Sequence, residues 1–145
     1  MKKYITKTIV ILVMCLLAGC VTTTSQLTPG EQTYIAKAKA FPLEFTIPKS
    51  EADEAWGRAQ CFIGKYSSMK LQIVTDFVIQ TYNPINHDVK YGYYVTKAPM
   101  GDKVQITVQC NVGNMFFHDE AITNAHILAY YIKTGEIVPR LITSG

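Results

Sequence analysis

The sequence predicts an α+β domain, a two-layer sandwich with its helices on one face of an antiparallel sheet. Three observations carry that prediction. Two stretches, Ser50 to Tyr66 and His118 to Lys133, repeat apolar residues at three- and four-residue steps, the spacing of a half-buried helix. Three others, within Met69 to Tyr82, Tyr91 to Ala98 and Val104 to Cys110, alternate apolar and polar residues, the period of a strand with one wet face. The segments joining these three are short and built of Pro, Asn, Gly and Asp, as in an antiparallel meander.

Taken in order, Tyr34 to Ala40 has the length of a short helical turn. Pro42-Leu43-Glu44-Phe45-Thr46-Ile47-Pro48 alternates between two prolines and reads as an edge strand, because proline cannot donate to a ladder. The first long helix opens at Ser50, with Asp53 and Glu54 placed to suit its N-terminal dipole. Ala52, Ala55, Trp56, Ala59, Phe62, Ile63 and Tyr66 form its stripe. Met69 to Tyr82 is long for one strand, which calls for a bulge or bend near Thr75-Asp76. Loops follow at Asn83 to Asp88 and Pro99 to Asp102. The second long helix carries Asp119 and Glu120 in its first turn and Lys133 in its last, and Gly135 stands where a left-handed cap belongs. Ala121, Ile122, Ala125, Leu128, Ala129 and Ile132 form its stripe. The element order is therefore strand, helix, three-strand meander, helix.

The N-terminus carries a different message. Lys2, Lys3 and Lys7 precede an apolar run from Thr8 to Leu17, and Leu17-Ala18-Gly19-Cys20 closes it. A basic start, a short apolar core and small residues at a cut site make a secretory signal, since about 20 apolar residues are needed to span a bilayer. Leu-Ala-Gly-Cys resembles the lipobox of bacterial lipoproteins. That resemblance implies that residues 1–19 are removed and that Cys20 is acylated, as with palmitate, and becomes the N-terminus. Residues 20–33, rich in Thr, Ser, Gln, Pro and Gly, read as a flexible lipidated tether, and 34–145 as one small α+β domain. Val21 stands where an inner-membrane retention signal would carry Asp. The resemblance thus implies an outer-membrane lipoprotein facing the periplasm.

Removing the signal changes the charge. The chain has 14 basic and 11 acidic residues, and the three lysines lost leave 11 against 11, a net charge of zero. Nucleic acid, which needs a retained basic patch, is not an expected partner. Of four cysteines, Cys15 leaves with the signal and Cys20 takes the lipid, so Cys61 and Cys110 remain as a candidate disulfide in an oxidising compartment. Such a bridge would stabilise the fold by about 4 kcal/mol on the chain-entropy model. Cys110 shares a strand face with Val104, Ile106 and Val108. Cys61 lies about 160° from the centre of its helix stripe at 100° per residue, with Gly57 and Gly64 as neighbours. The bridge forms if the strand of Cys110 approaches that small-residue side. It cannot form if the sheet lies against Trp56, because the two α-carbons must come within about 7 Å.

Catalytic signatures are lacking. His118 and His126 are eight residues apart on one helix, whereas a helical metal pair sits at i and i+4; His87 stands in a loop. No nucleophile elbow, phosphate-binding glycine loop or Cys-x-x-Cys pair occurs. No metal and no cofactor is therefore expected, and a hydrolase using Asp76 or His87 is the remote alternative to a non-enzymatic role. The most suggestive residues are Tyr82, Tyr91, Tyr93 and Tyr94. Tyr91 and Tyr93 share one face and Tyr94 takes the other, so one set can pack under helices while the other stays open. With Gln72, Gln80, Gln105 and Gln109 they outline a possible surface for a glycan or an envelope protein. The expected function is a membrane-anchored envelope lipoprotein with a binding or structural role. The alternative is an interaction module, such as an inhibitor or assembly accessory of an envelope enzyme or secretion machine.

Overall fold

The computed structural model describes residues 26–143. Residues 1–19, the Leu17-Ala18-Gly19-Cys20 motif and the candidate acylation site lie outside the described residues. Within them, five antiparallel strands form one open sheet: β1 (Glu44–Pro48), β2 (Leu71–Val74), β3 (Val78–Thr81), β4 (Tyr91–Met100) and β5 (Lys103–Val112). Their order across the sheet is β1-β5-β4-β3-β2. The three long helices are α1 (Pro29–Ala40), α2 (Ala52–Tyr66) and α3 (His118–Thr134). They cover one face only, with α3 packed on β5 between α1 and α2. The molecule is the expected two-layer α+β sandwich.

Local chemistry explains where each element starts and stops. α1 begins at Pro29, five residues ahead of Tyr34, so residues 29–33, read above as tether, are helical. Thr28 is a capping box: its hydroxyl accepts from Glu31 N while Glu31 Oε2 accepts from Thr28 N at 2.8 Å, and Pro29 sits where its missing N–H costs nothing. α2 follows a single 3₁₀ turn, Lys49–Glu51, and buries Ala52, Ala55, Trp56, Ala59, Phe62 and Ile63. α3 buries Ala121, Asn124, Ala125, Ile127, Leu128, Ala129 and Ile132, while Ile122 is exposed. It ends at Gly135, whose φ of 76° makes the left-handed cap. The Arg58 side chain of α2 donates from Nε to Ile132 O at 2.8 Å, satisfying a last-turn carbonyl of α3 and pinning the two helices together.

The stretch Met69 to Tyr82 does more than bend. It reverses at Asp76-Phe77 and becomes a hairpin of two strands, β2 and β3. Thr75 closes that turn: its N–H donates to Val78 O at 2.8 Å, and its hydroxyl accepts from Val78 N at 2.9 Å and Phe77 N at 3.2 Å. The register irregularity falls between Leu71 and Ile73. The β4–β5 turn is Gly101-Asp102, with φ of 65° at Gly101 alone, the arrangement that asks for glycine at the first central position. β1 pairs with β5 and forms one edge, as its prolines suggest; β2 forms the other, with all four of its residues exposed.

The C-terminal tail returns across α1 and α3. Asn124, fully buried, donates from Nδ2 to Thr143 O at 2.8 Å and accepts from Thr143 N at 3.1 Å. Arg140 pairs with Glu31 through Nε at 2.6 Å and through Nη2. The Arg140 hydrogen bonds, with those from the Thr28 backbone and hydroxyl, hold the Glu31 carboxyl at about 2, below its ordinary 4.5. A depressed folded-state pKa means that this stabilisation is complete above pH 4.5 and is lost as pH falls through 2. The stability gap between the parent chain and Glu31→Gln is therefore expected to narrow across that window in thermal unfolding followed by circular dichroism. A gap that stays constant would refute the assignment.

Candidate functional site: the open sheet face

Alternation along each strand decides what the uncovered face presents. Toward the helices point Phe45 and Ile47, Ile79 and Thr81, Tyr91, Tyr93 and Val95, and Val104, Ile106 and Val108, all buried. The opposite face carries the residues between them. Antiparallel partners share a face, so the register reads out its rows. One row is Ile73, Gln80, Tyr94 and Gln109, across β2, β3, β4 and β5. The next is Val78, Thr96, Thr107 and Glu44; the third is Ala98, Gln105 and Thr46. With strands about 4.8 Å apart, the first row runs roughly 14 Å. Its centre is a half-buried tyrosine ring flanked by two amides, a set that donates and accepts hydrogen bonds around an aromatic plane and carries no charge.

The structure divides the four tyrosines. Tyr94 lies at the centre of this face. Tyr82 follows β3 and is 51 % exposed. Tyr91 and Tyr93 are corrected out of the surface: each is 1 % exposed, packed beneath the helices. The ring of Tyr93 meets Phe62 of α2 edge-on at 5.7 Å, and its hydroxyl, buried beside Cys110 and Asn124, closes no hydrogen bond among the described residues. Burial, which disfavours the phenolate, raises the Tyr93 pKa. Of the glutamines, Gln80, Gln105 and Gln109 belong to the open face. Gln72 sits at the register irregularity of β2 and is left out of the rows.

The candidate disulfide is absent. Cys61 and Cys110 are both free thiols. The sheet lies against the Trp56 face of α2, so Cys61 points to solvent, and the space beside Gly57 and Gly64 is empty. Cys110 faces the core, where burial pushes its thiol up to about 12. The histidines are equally dispersed. His126 Nδ1 donates to Phe41 O at 2.8 Å and fastens the α1–β1 connection to α3. His118 opens α3, and His87 occupies the β3–β4 loop with a φ of 68°. Asp76 belongs to the β2–β3 turn, at the other end of the sheet from His87. Among the described residues no three His, Cys, Asp or Glu side chains gather as metal ligands would, and no helix is long and apolar enough to cross a membrane.

Two features escaped the reading of the sequence. Lys97 Nζ stands 4.9 Å over the Trp56 ring, at the mouth of a cavity of about 230 Å³ that Lys49, Lys103, Asp53 and Phe77 also line. The other is a set of exposed apolar side chains at one end of the sheet: Met115 and Phe116 just before α3, and Ile85 on the loop whose backbone meets Gly113. Comparison with family models, with curated proteins and with solved structures finds no match. The chemistry of the site has therefore to come from its own residues.

Proposed function

We propose that this chain is a lipid-anchored protein of the bacterial envelope whose domain acts by binding, without catalysis, through the open face of its sheet. The observation that carries the binding role is the uncovered row Ile73–Gln80–Tyr94–Gln109. A sheet face left bare over four strands, with a tyrosine between amides, has the composition of a recognition surface for a neutral polar partner. The lipid anchor rests on Leu17-Ala18-Gly19-Cys20 and the basic and apolar segments before it. Val21 after the cysteine supports the outer membrane and a domain facing the periplasm.

A specific observation favours a protein partner over a glycan. The row ends at β2, an edge strand with no charge and no proline within it and with Leu71, Ile73 and Val74 exposed. Such an edge can accept a strand from another chain, with the bare face supplying side-chain contacts. This is the reading of an interaction module, an inhibitor or accessory of an envelope enzyme or secretion machine.

The test is cross-linking in living cells from a photoreactive residue placed at Gln109, with Glu54, exposed on the opposite side, as the reference position. A discrete adduct from Gln109 and none from Glu54 is the expected result. Equal behaviour at the two positions would remove the open face from the function.

A further inference from the structure

We infer that the end of the domain formed by Ile85, Met115 and Phe116 is a lipid-contact tip, which rests against the bilayer that holds the anchor. The inference rests on the lipoprotein reading and adds to it how the domain stands on the membrane. These three side chains are the most exposed large apolar groups among the described residues, at 76 %, 82 % and 85 %. An isolated exposed apolar residue needs no explanation; three at one end, on two loops locked together, do.

The locking is specific. Gly113 lies so close to the 83–88 loop that a β-carbon there would sit 1.7 Å from Ile85 O. His87 N donates to Gly113 O at 3.0 Å, Asp88 N donates to Ile85 O at 3.0 Å, and His87 adopts a left-handed φ of 68° to permit it. On the second loop the Asn114 side chain accepts from Phe116 N at 3.0 Å and its carbonyl accepts from Phe117 N at 3.1 Å, fixing Met115–Phe117 as a 3₁₀ turn. The amides of His87, Asp88, Phe116 and Phe117 are thus paired internally, and the apolar side chains project outward. A surface entering the headgroup region needs that combination.

The entry of the chain names the occupant. Leu27 lines the same cavity, of about 410 Å³, as Asp119 and Glu120, the first turn of the helix that begins directly after Met115–Phe117. Cys20 is seven residues before Leu27, a reach of at most about 25 Å. An acylated Cys20 therefore holds this end of the domain close to lipid. Asp119 and Glu120 share that cavity with Lys39 and Arg140, so its charges balance and do not select an anionic surface, and the fit is to zwitterionic headgroups. β4 and β5 begin and end at this tip, with Tyr91 opposite Val112, and reach their hairpin at Met100 and Lys103 roughly 30 Å away. The open face then stands up from the membrane instead of lying on it.

The test uses the full, processed, lipidated protein carrying Phe116→Trp, reconstituted into phosphatidylethanolamine–phosphatidylcholine vesicles with brominated acyl chains, which quench indole on contact. Met100→Trp, at the far hairpin, is the reference, and the buried Trp56 of the parent supplies the background. The expected result is emission from Phe116→Trp that shifts to the blue and loses most of its intensity, with Met100→Trp unchanged. Protein that floats with the vesicles while both variants stay bright overturns the tip alone. Protein that fails to float, with no acyl mass on Cys20, overturns the lipoprotein reading and the tip with it.

Discussion

Replacing Phe62 by alanine is expected to lower the unfolding free energy by about 3–5 kcal/mol, a large share of the 5–15 kcal/mol of an ordinary small domain. Phe62 is 1 % exposed and joins three elements at once. Its ring lies 5.7 Å from Tyr93 on the sheet, 5.1 Å from Tyr66 on its own helix and 6.0 Å from Tyr131 on α3. Truncation removes the transfer free energy of a phenyl ring, and the rigid strand beneath cannot collapse into the space left. Aromatic pairs also contribute about 0.5–1.5 kcal/mol beyond area. In urea the midpoint should fall at unchanged slope, while Phe62→Leu, which keeps most of the volume, should cost less than about 1.5 kcal/mol. A loss under about 1 kcal/mol for Phe62→Ala would mean that α2 is not the clamp between sheet and α3.

That the clamp was readable beforehand follows from periodicity. The buried set of α2 matches the stripe drawn from spacing alone except at Tyr66, which is half-buried, because burying one face of a helix forces apolar residues into it. Gly135 was legible for a steric reason: a left-handed cap tolerates few other residues. α1 was harder. It buries only Tyr34 and Ala38, so its sequence has almost no stripe, and its start is set by the Thr28-Pro29-Gly30-Glu31 capping box inside a stretch that reads as linker. The β2–β3 reversal was located but underestimated, since Asp76-Phe77 lacks the glycine or asparagine that usually marks a tight turn and Thr75 supplies the closure. The partner of β1 was beyond local reading. α2 carries the chain from one edge of the sheet to the other, and no short-range pattern encodes that pairing.

The candidate site divides along the same line. Alternation separates Tyr91 and Tyr93 from Tyr94, but which set faces the helices depends on where α2 and α3 dock. The cysteines show the reverse case. The angle of Cys61 on its helix already set the condition under which no bridge forms, and the docking of the Trp56 face met it. Counting cysteines alone would have given the wrong pairing. The apolar tip was hidden because Met115 and Phe116 resemble any apolar pair leading into a helix. Their exposure arises from the contact between two loops, more than twenty residues apart, at Gly113.

Gly113→Ala is the substitution that reads out that contact, and it is expected to destabilise by about 1–3 kcal/mol, the cost of overpacking a close-fitted site. The backbone of Gly113 is not left-handed, so the cost is steric. The added β-carbon would meet Ile85 O at 1.7 Å and Ile85 C at 2.7 Å, both main-chain atoms that no rotamer change can move. The 83–88 loop must swing away, taking the His87–Gly113 hydrogen bond with it. Hydrogen exchange at the His87 and Asp88 amides should accelerate more than at Val95 or Val108 in the core. Gly57→Ala is the internal comparison: it lies mid-helix beside open space, and alanine there should raise stability by roughly 0.5–1 kcal/mol. Opposite signs at these two glycines would show that Gly113 is retained for the approach of another backbone. Equal, small gains at both would mean that the two loops are not held together, and the apolar tip would lose its rigid base.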